Sequence, residues 1–343
     1  MSNETLISQN RLGWIDMAKG FVILWVVALH IGLLFDNNKF LNNLLFHSWA
    51  MPFFYMVSGL FLSHKDTFWP FVVKKTNQLI VPLVFFVFMT NVLFWVAGDL
   101  LGGAESGWIQ SKFKWVSTLQ FCWYEGSPDF RNFPLWFIPA LFNASLIYKF
   151  IIIAAKDQWL PKILLTFTLV GVMFIMGQYE INLPLFIDVG ILALPYLLMG
   201  DFLKNRTDFV SNEPSRLSGL LWGIVVFAMF LVGYIVQANY QLFPFIDILR
   251  YVTAISGSLF VLWCAKRIPY SRFLSFCGRN SLIILGVHLP LTAIRPVLMH
   301  FIHNEWIMKG VLFVAIVTIA CGLSFLFDKY IPKLVGKKAL LDL

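Results

Sequence analysis

The sequence predicts an all-α, polytopic membrane protein, a helical bundle of about ten transmembrane helices with both termini in the cytoplasm. Three observations carry this. Hydrophobic residues fill 59% of the 343 positions and charged residues only 13%, and the mean hydropathy of +0.76 lies outside the range of soluble globular chains. Apolar runs recur along the whole chain with short polar breaks, so a single domain over 1–343 is expected, with no fused soluble domain. The basic residues, finally, segregate to alternate connections, as retention of Lys and Arg on the cytoplasmic side demands.

Taking about 20 residues per span, the apolar runs place helices near 13–35, 46–64, 79–101, 135–155, 162–178, 183–203, 217–237, 246–265, 281–300 and 307–327. A polar stretch with Glu4 and Arg11 precedes the first run and no small-x-small site follows it, so this helix is not a cleavable signal. Pro184 and Pro195 interrupt 162–203, which makes the division of that stretch the least constrained. With the N-terminus inside, nineteen of the 26 Lys and Arg residues fall in or toward the cytoplasm, among them Lys74 and Lys75 in a 65–78 loop and Arg279 in a 266–280 loop. The net charge of +8 is then explained by topology, and no nucleic acid is expected as a partner.

The four cysteines, Cys122, Cys264, Cys277 and Cys321, show no C-x-x-C spacing, and three fall in or beside apolar runs. Neither a metal site nor a disulfide framework is expected. One connection is long, the outer stretch 102–134, with Trp108, Trp115, Trp123 and Tyr124 among Gly, Ser and charged residues. These aromatics read either as an interfacial belt or as faces that stack on sugar rings.

The opening helix, 15-IDMAKGFVILWVVALHIGLLF-35, carries Asp16, Lys19 and His30 in an otherwise lipid-soluble run. Asp16 and Lys19 are three apart and meet on one helix face, so a local ion pair, or snorkelling of Lys19, accounts for both without any function. His30 follows Lys19 by eleven residues, roughly 16 Å along a helix axis, and lies in the outer half. Ionisable groups in a span usually face the bundle interior or a water-filled cavity and count as functional candidates, and histidine suits proton transfer near neutral pH. Further along, Ser58 and Gly59 in 51-MPFFYMVSGLFL-62 allow close helix contact. In 276-FCGRNSLIILGVH-288, Asn280 or Ser281 reads as an N-cap. His288, in mid-membrane, is either a hydrogen-bonded structural histidine or part of the site.

The segments 14-WIDMAKGFVILWVVALH-30, 51-MPFFYMVSGLFL-62, 134-PLWFIPALF-142, 195-PYLLMGDFLK-204 and 276-FCGRNSLIILGVH-288, in that order, resemble the acyltransferase-3 family of integral membrane O-acyltransferases. That family carries an Arg and a His separated by ten intervening residues in its first helix. The matching positions here are Lys19 and His30, so the spacing is kept while a bidentate guanidinium is lost. The resemblance implies an enzyme of the bacterial cytoplasmic (inner) membrane that moves an acyl group, usually acetyl, from acetyl-coenzyme A to a hydroxyl of a surface polysaccharide or lipid-linked sugar. No permanently bound cofactor is implied; the donor, the glycan acceptor and membrane lipid are the expected partners.

In that reading His30 is the general base, Lys19 a catalytic-site cation, and a carboxylate on the other His30 nitrogen fixes its tautomer. Asp188 is the candidate for this carboxylate, or else an interfacial acid exposed to water. Lys74, Lys75, Arg279 and His288 are the candidates for binding the donor. No G-x-S-x-G elbow suggests a serine acyl-enzyme. A glycan exporter or flippase, or an accessory membrane subunit, would also be a many-helix protein, and these readings stay open.

Overall fold

With no water to satisfy N–H and C=O groups, a chain in a bilayer must close its hydrogen bonds within each segment, which a helix does. The described residues of the computed structural model, 13–33, 49–100, 132–181, 183–204, 220, 223–224, 226–229, 231 and 245–341, are accordingly helical with no strand among them. In chain order the helices are α1 (Gly13–His30), α2 (Ala50–Leu60), α3 (Phe68–Lys75), α4 (Val81–Leu100), α5 (Phe137–Ala154), α6 (Trp159–Gln178), α7 (Ile187–Leu192), α8 (Leu194–Lys204), α9 (Phe245–Arg267), α10 (Arg272–Arg279), α11 (Ser281–Leu291), α12 (Arg295–Phe301) and α13 (Glu305–Tyr330).

Among the described residues five helical segments are long and apolar enough to cross a membrane, and two bent helix pairs would bring the number to seven. Two features account for much of the distance from ten. The second expected span is only the 11 residues of α2, about 16 Å of helix against a hydrocarbon core of about 30 Å. The expected 217–237 span lies largely outside the described residues, as does most of the aromatic 102–134 stretch.

One further expectation is corrected. The 65–78 stretch is helix rather than loop from Phe68 on: α3 runs through a π-helical turn, Thr76–Ile80, into α4. Pro70 does not prevent this because it sits in the first turn, where a missing N–H breaks no helical bond. The side-chain amide of Asn280 donates to Phe276 O at the end of α10, which begins at the N-cap Ser271.

The chain divides into two units, and α1 passes from one to the other after Val26. The first holds 1–26, 34–62 and 193–281. Glycines set its helix crossings: a Cβ at Gly20 would overlap the Leu274 carbonyl, and one at Gly278 the Asp16 carbonyl, so α1 and α10 meet backbone to backbone. Gly59 of α2 and Gly200 of α8 do the same against Leu197 and Met56, the packing role expected of Gly59.

The second unit holds 27–33, 63–192 and 282–343. Three stretches assigned to the cytoplasm by their charge converge within it. Buried Lys149 of α5 donates to the carbonyls of Ser63 (2.9 Å) and His64 (3.1 Å). His64 Nδ1 lies 3.0 Å from Asp157 Oδ2, and Lys162 Nζ 2.8 Å from Asp157 Oδ1. The segment after α13 folds back onto the π turn, where Asn77 donates to Leu341 O and accepts from the N–H groups of Leu340 and Leu341.

Candidate active site

The last turn of α1 is built to hold one side chain still. Gly32 adopts φ +68, a left-handed conformation that costs glycine nothing. Its N–H donates to Leu29 O, and the N–H of Leu33 reaches back to Ala28 O, the paired bonds of a Schellman cap. His30 is thus the final helical residue, on a turn whose end is hydrogen-bonded rather than frayed. The apolar run continues to Phe35, which is why hydropathy extends the helix past this stop.

His30 is half-buried, and its Nδ1 lies 3.1 Å from Nε2 of His288, a fully buried residue of α11. The edge of Phe133 packs against the same ring, 5.3 Å between centroids at 74°. His288 Nδ1 in turn sits 3.1 Å from Ile284 O and 2.9 Å from Leu285 O. Carbonyl oxygens only accept, so this nitrogen carries a proton. In the neutral ring Nε2 is then an acceptor, and the bond between the histidines requires His30 to donate from Nδ1. The lone pair of His30 is left on Nε2.

The position of His288 is itself secured by an exchange of hydrogen bonds. Pro290 lies inside α11 and has no N–H, so the carbonyl four residues earlier, that of Gly286, lacks its helical donor. The side chain of Asn132 supplies one, with Nδ2 2.8 Å from Gly286 O and 2.9 Å from Thr90 Oγ1 of α4. Only the amide nitrogen can face a carbonyl, so the orientation of Asn132 is determined. Gly286 also makes room for the Phe86 ring, which a Cβ there would overlap.

Of the residues singled out in the sequence, the structure brings together His30 and His288. Asp188 instead accepts from the backbone N–H of Val189 at the start of α7, 2.8 Å away, and makes no hydrogen bond to His30. The place foreseen for a carboxylate is taken by an imidazole, and burial supplies a reason: an ionised acid in the fully buried position of His288 would be costly to desolvate, whereas a neutral histidine orients its neighbour without bringing a charge. Lys19 lies 3.6 Å from Asp16 Oδ1, the ion pair expected from their spacing. Lys74 pairs with Asp66 at 3.2 Å, Lys75 lies over the Phe71 ring, and Arg279 donates to Ser275 Oγ at 3.2 Å.

Outside the spans, burial pushes the Asp157 carboxyl up, but the hydrogen bonds and charges of Lys162 and His64 outweigh it and hold the group below the usual carboxylate range. Asp66 has the same balance, with burial opposed by Ser63 and Lys74. Sequence reasoning missed Asn132 and Phe133. The one local signal was the Gly286–Pro290 spacing, which announces an orphan carbonyl without saying what fills it.

The acyltransferase-3 family model, described as an acyltransferase domain, matches residues 12–328. The chain belongs to this family of membrane acyltransferases. No curated protein and no solved structure matches it.

Proposed function

We propose that the protein transfers an acetyl group from cytoplasmic acetyl-coenzyme A to a hydroxyl of a surface polysaccharide or lipid-linked sugar, with His30 as general base. The observation that carries this is the pairing of His30 with His288, which directs a basic nitrogen away from the partner on the last turn of a capped helix. Family membership supplies the reaction class. The acceptor hydroxyl oxygen attacks the thioester carbonyl while His30 Nε2 takes its proton. The C–S bond then breaks, and the leaving thiolate takes that proton back from His30 to depart as the thiol. A new ester remains on the sugar. General base help of this kind is worth about 10²- to 10⁴-fold in rate.

The donor is a polyanion with a slender arm, and the acceptor is finished outside a bacterial inner membrane. Lys19, about 16 Å along α1 from His30, is assigned to the arm, and Lys74, Lys75 or Arg279 to the nucleotide head from the cytoplasmic face. The test is purified protein in lipid nanodiscs with radiolabelled acetyl-coenzyme A and extracted cell-surface glycan, measuring released thiol and labelled glycan together. Wild-type protein should give both, His30→Ala neither while still folded, and Lys19→Arg should retain activity that Lys19→Ala loses. Glycan movement across the bilayer without thiol release would replace the acyltransferase reading with an exporter.

A further inference from the structure

We infer that His288 is a positioning residue: it sets the tautomer of His30 and stays hydrogen-bonded to it when His30 acquires charge. The inference rests on the acyl-transfer reading for its kinetic consequences, but its structural half stands on hydrogen-bond direction alone. Histidine free in water favours the tautomer with its proton on Nε2, which would leave a base with its lone pair on Nδ1. Here Nδ1 of His30 faces Nε2 of His288, and the two carbonyls behind His288 determine which way the proton between them points. The ordinary preference of His30 is reversed, and Nε2 becomes the basic nitrogen.

Complete burial makes a second imidazole suited to this work. A carboxylate in the same place would hold the tautomer equally well but would bring a charge into the fully buried position of His288. A histidine pair starts uncharged. When His30 takes the hydroxyl proton on Nε2 it becomes the cation, and its Nδ1 proton stays in the 3.1 Å hydrogen bond to His288 Nε2, so the neutral, fully buried imidazole accepts from a charged donor, the stronger kind of hydrogen bond. The charge is lost again when the thiolate recovers the proton. Asn132 completes the device by replacing the donor that Pro290 removes from Gly286, one half-turn before His288.

The test uses the full-length protein in nanodiscs with ¹⁵N-labelled histidine, comparing wild type, His288→Gln and His288→Leu. A glutamine can accept from His30 through its carbonyl oxygen and donate to a backbone carbonyl through its amide; leucine can do neither. Nitrogen chemical shifts should report His30 protonated on Nδ1 in the wild type and in His288→Gln, and mixed or inverted in His288→Leu. In turnover, His288→Leu should lose on the order of 10²-fold or more in kcat with the KM for acetyl-coenzyme A little changed, and His288→Gln should recover most of that loss. Wild-type His30 protonated on Nε2, or a tautomer unchanged in His288→Leu, would overturn the inference. Absence of acyl transfer in the wild type would instead remove the functional reading, while the shifts would still decide the pairing. If His288→Leu does not fold, the wild-type shifts and His288→Gln carry the same decision.

Discussion

The hydrogen bond from Asn132 to Gly286 makes a prediction whose size follows from the structure. Asn132→Leu deprives the Gly286 carbonyl of the donor that stands in for the missing Pro290 N–H. A buried carbonyl left unpaired costs about 1–3 kcal/mol, and the bond to Thr90 adds about 0.5–1.5 kcal/mol. One term has the opposite sign. Asn132 Oδ1 is buried without a hydrogen-bond partner among the described residues, and leucine removes that unsatisfied acceptor. The net effect of the single substitution is therefore smaller than the loss at Gly286, and a double-mutant cycle with Pro290→Ala separates the two. Alanine at 290 restores a helical N–H aimed at Gly286 O, so Asn132→Leu no longer orphans the carbonyl, while the Oδ1 and Thr90 contributions occur in both backgrounds and cancel. The coupling isolated by the cycle should be on the order of 1–2 kcal/mol, within the range found for residues sharing a partner. Unfolding of the four proteins in mixed micelles, titrated with denaturing detergent, measures it. A cycle that closes to zero would mean that Pro290 leaves no carbonyl for Asn132 to satisfy, and the account of how α11 is held would be wrong.

Two more outcomes follow from other parts of the molecule. The folded-state carboxyl of Asp157 is depressed, so its contribution to stability is present above the unfolded value of about 4 and is lost as pH falls through the lower folded value. Asp157→Asn should therefore lower the melting temperature near pH 7 and flatten its decline below about pH 4, and an unchanged acid decline would refute the assignment. With the native cysteines replaced, a cysteine at Gly107 should react with an impermeant thiol reagent in intact cells and one at Asn205 only after lysis; the reverse pattern would put the donor on the face where acetyl-coenzyme A is absent.

Composition and patterning suffice for the class of protein, because the cost of exposing polar backbone to lipid acts on every segment alike and leaves its mark in each apolar run. They also put His30 about 16 Å along the helix from Lys19 and pair Lys19 with Asp16, since both depend only on helical rise and repeat. The details of helix ends were less legible. Hydropathy does not register the positive φ of Gly32 that stops α1, nor the π turn that carries α3 into α4 through a stretch rich in polar residues. What tertiary structure alone decided is the chemistry around His30. Its partner lies 258 residues away in the chain, and the donor for Gly286 lies 154 residues away, so no local period connects them. The sequence could nominate a carboxylate by analogy with other bases, but which group reaches Nδ1 depends on where α11 packs. That packing follows from Gly286 admitting Phe86 and from Asn132 answering the bond that Pro290 leaves open.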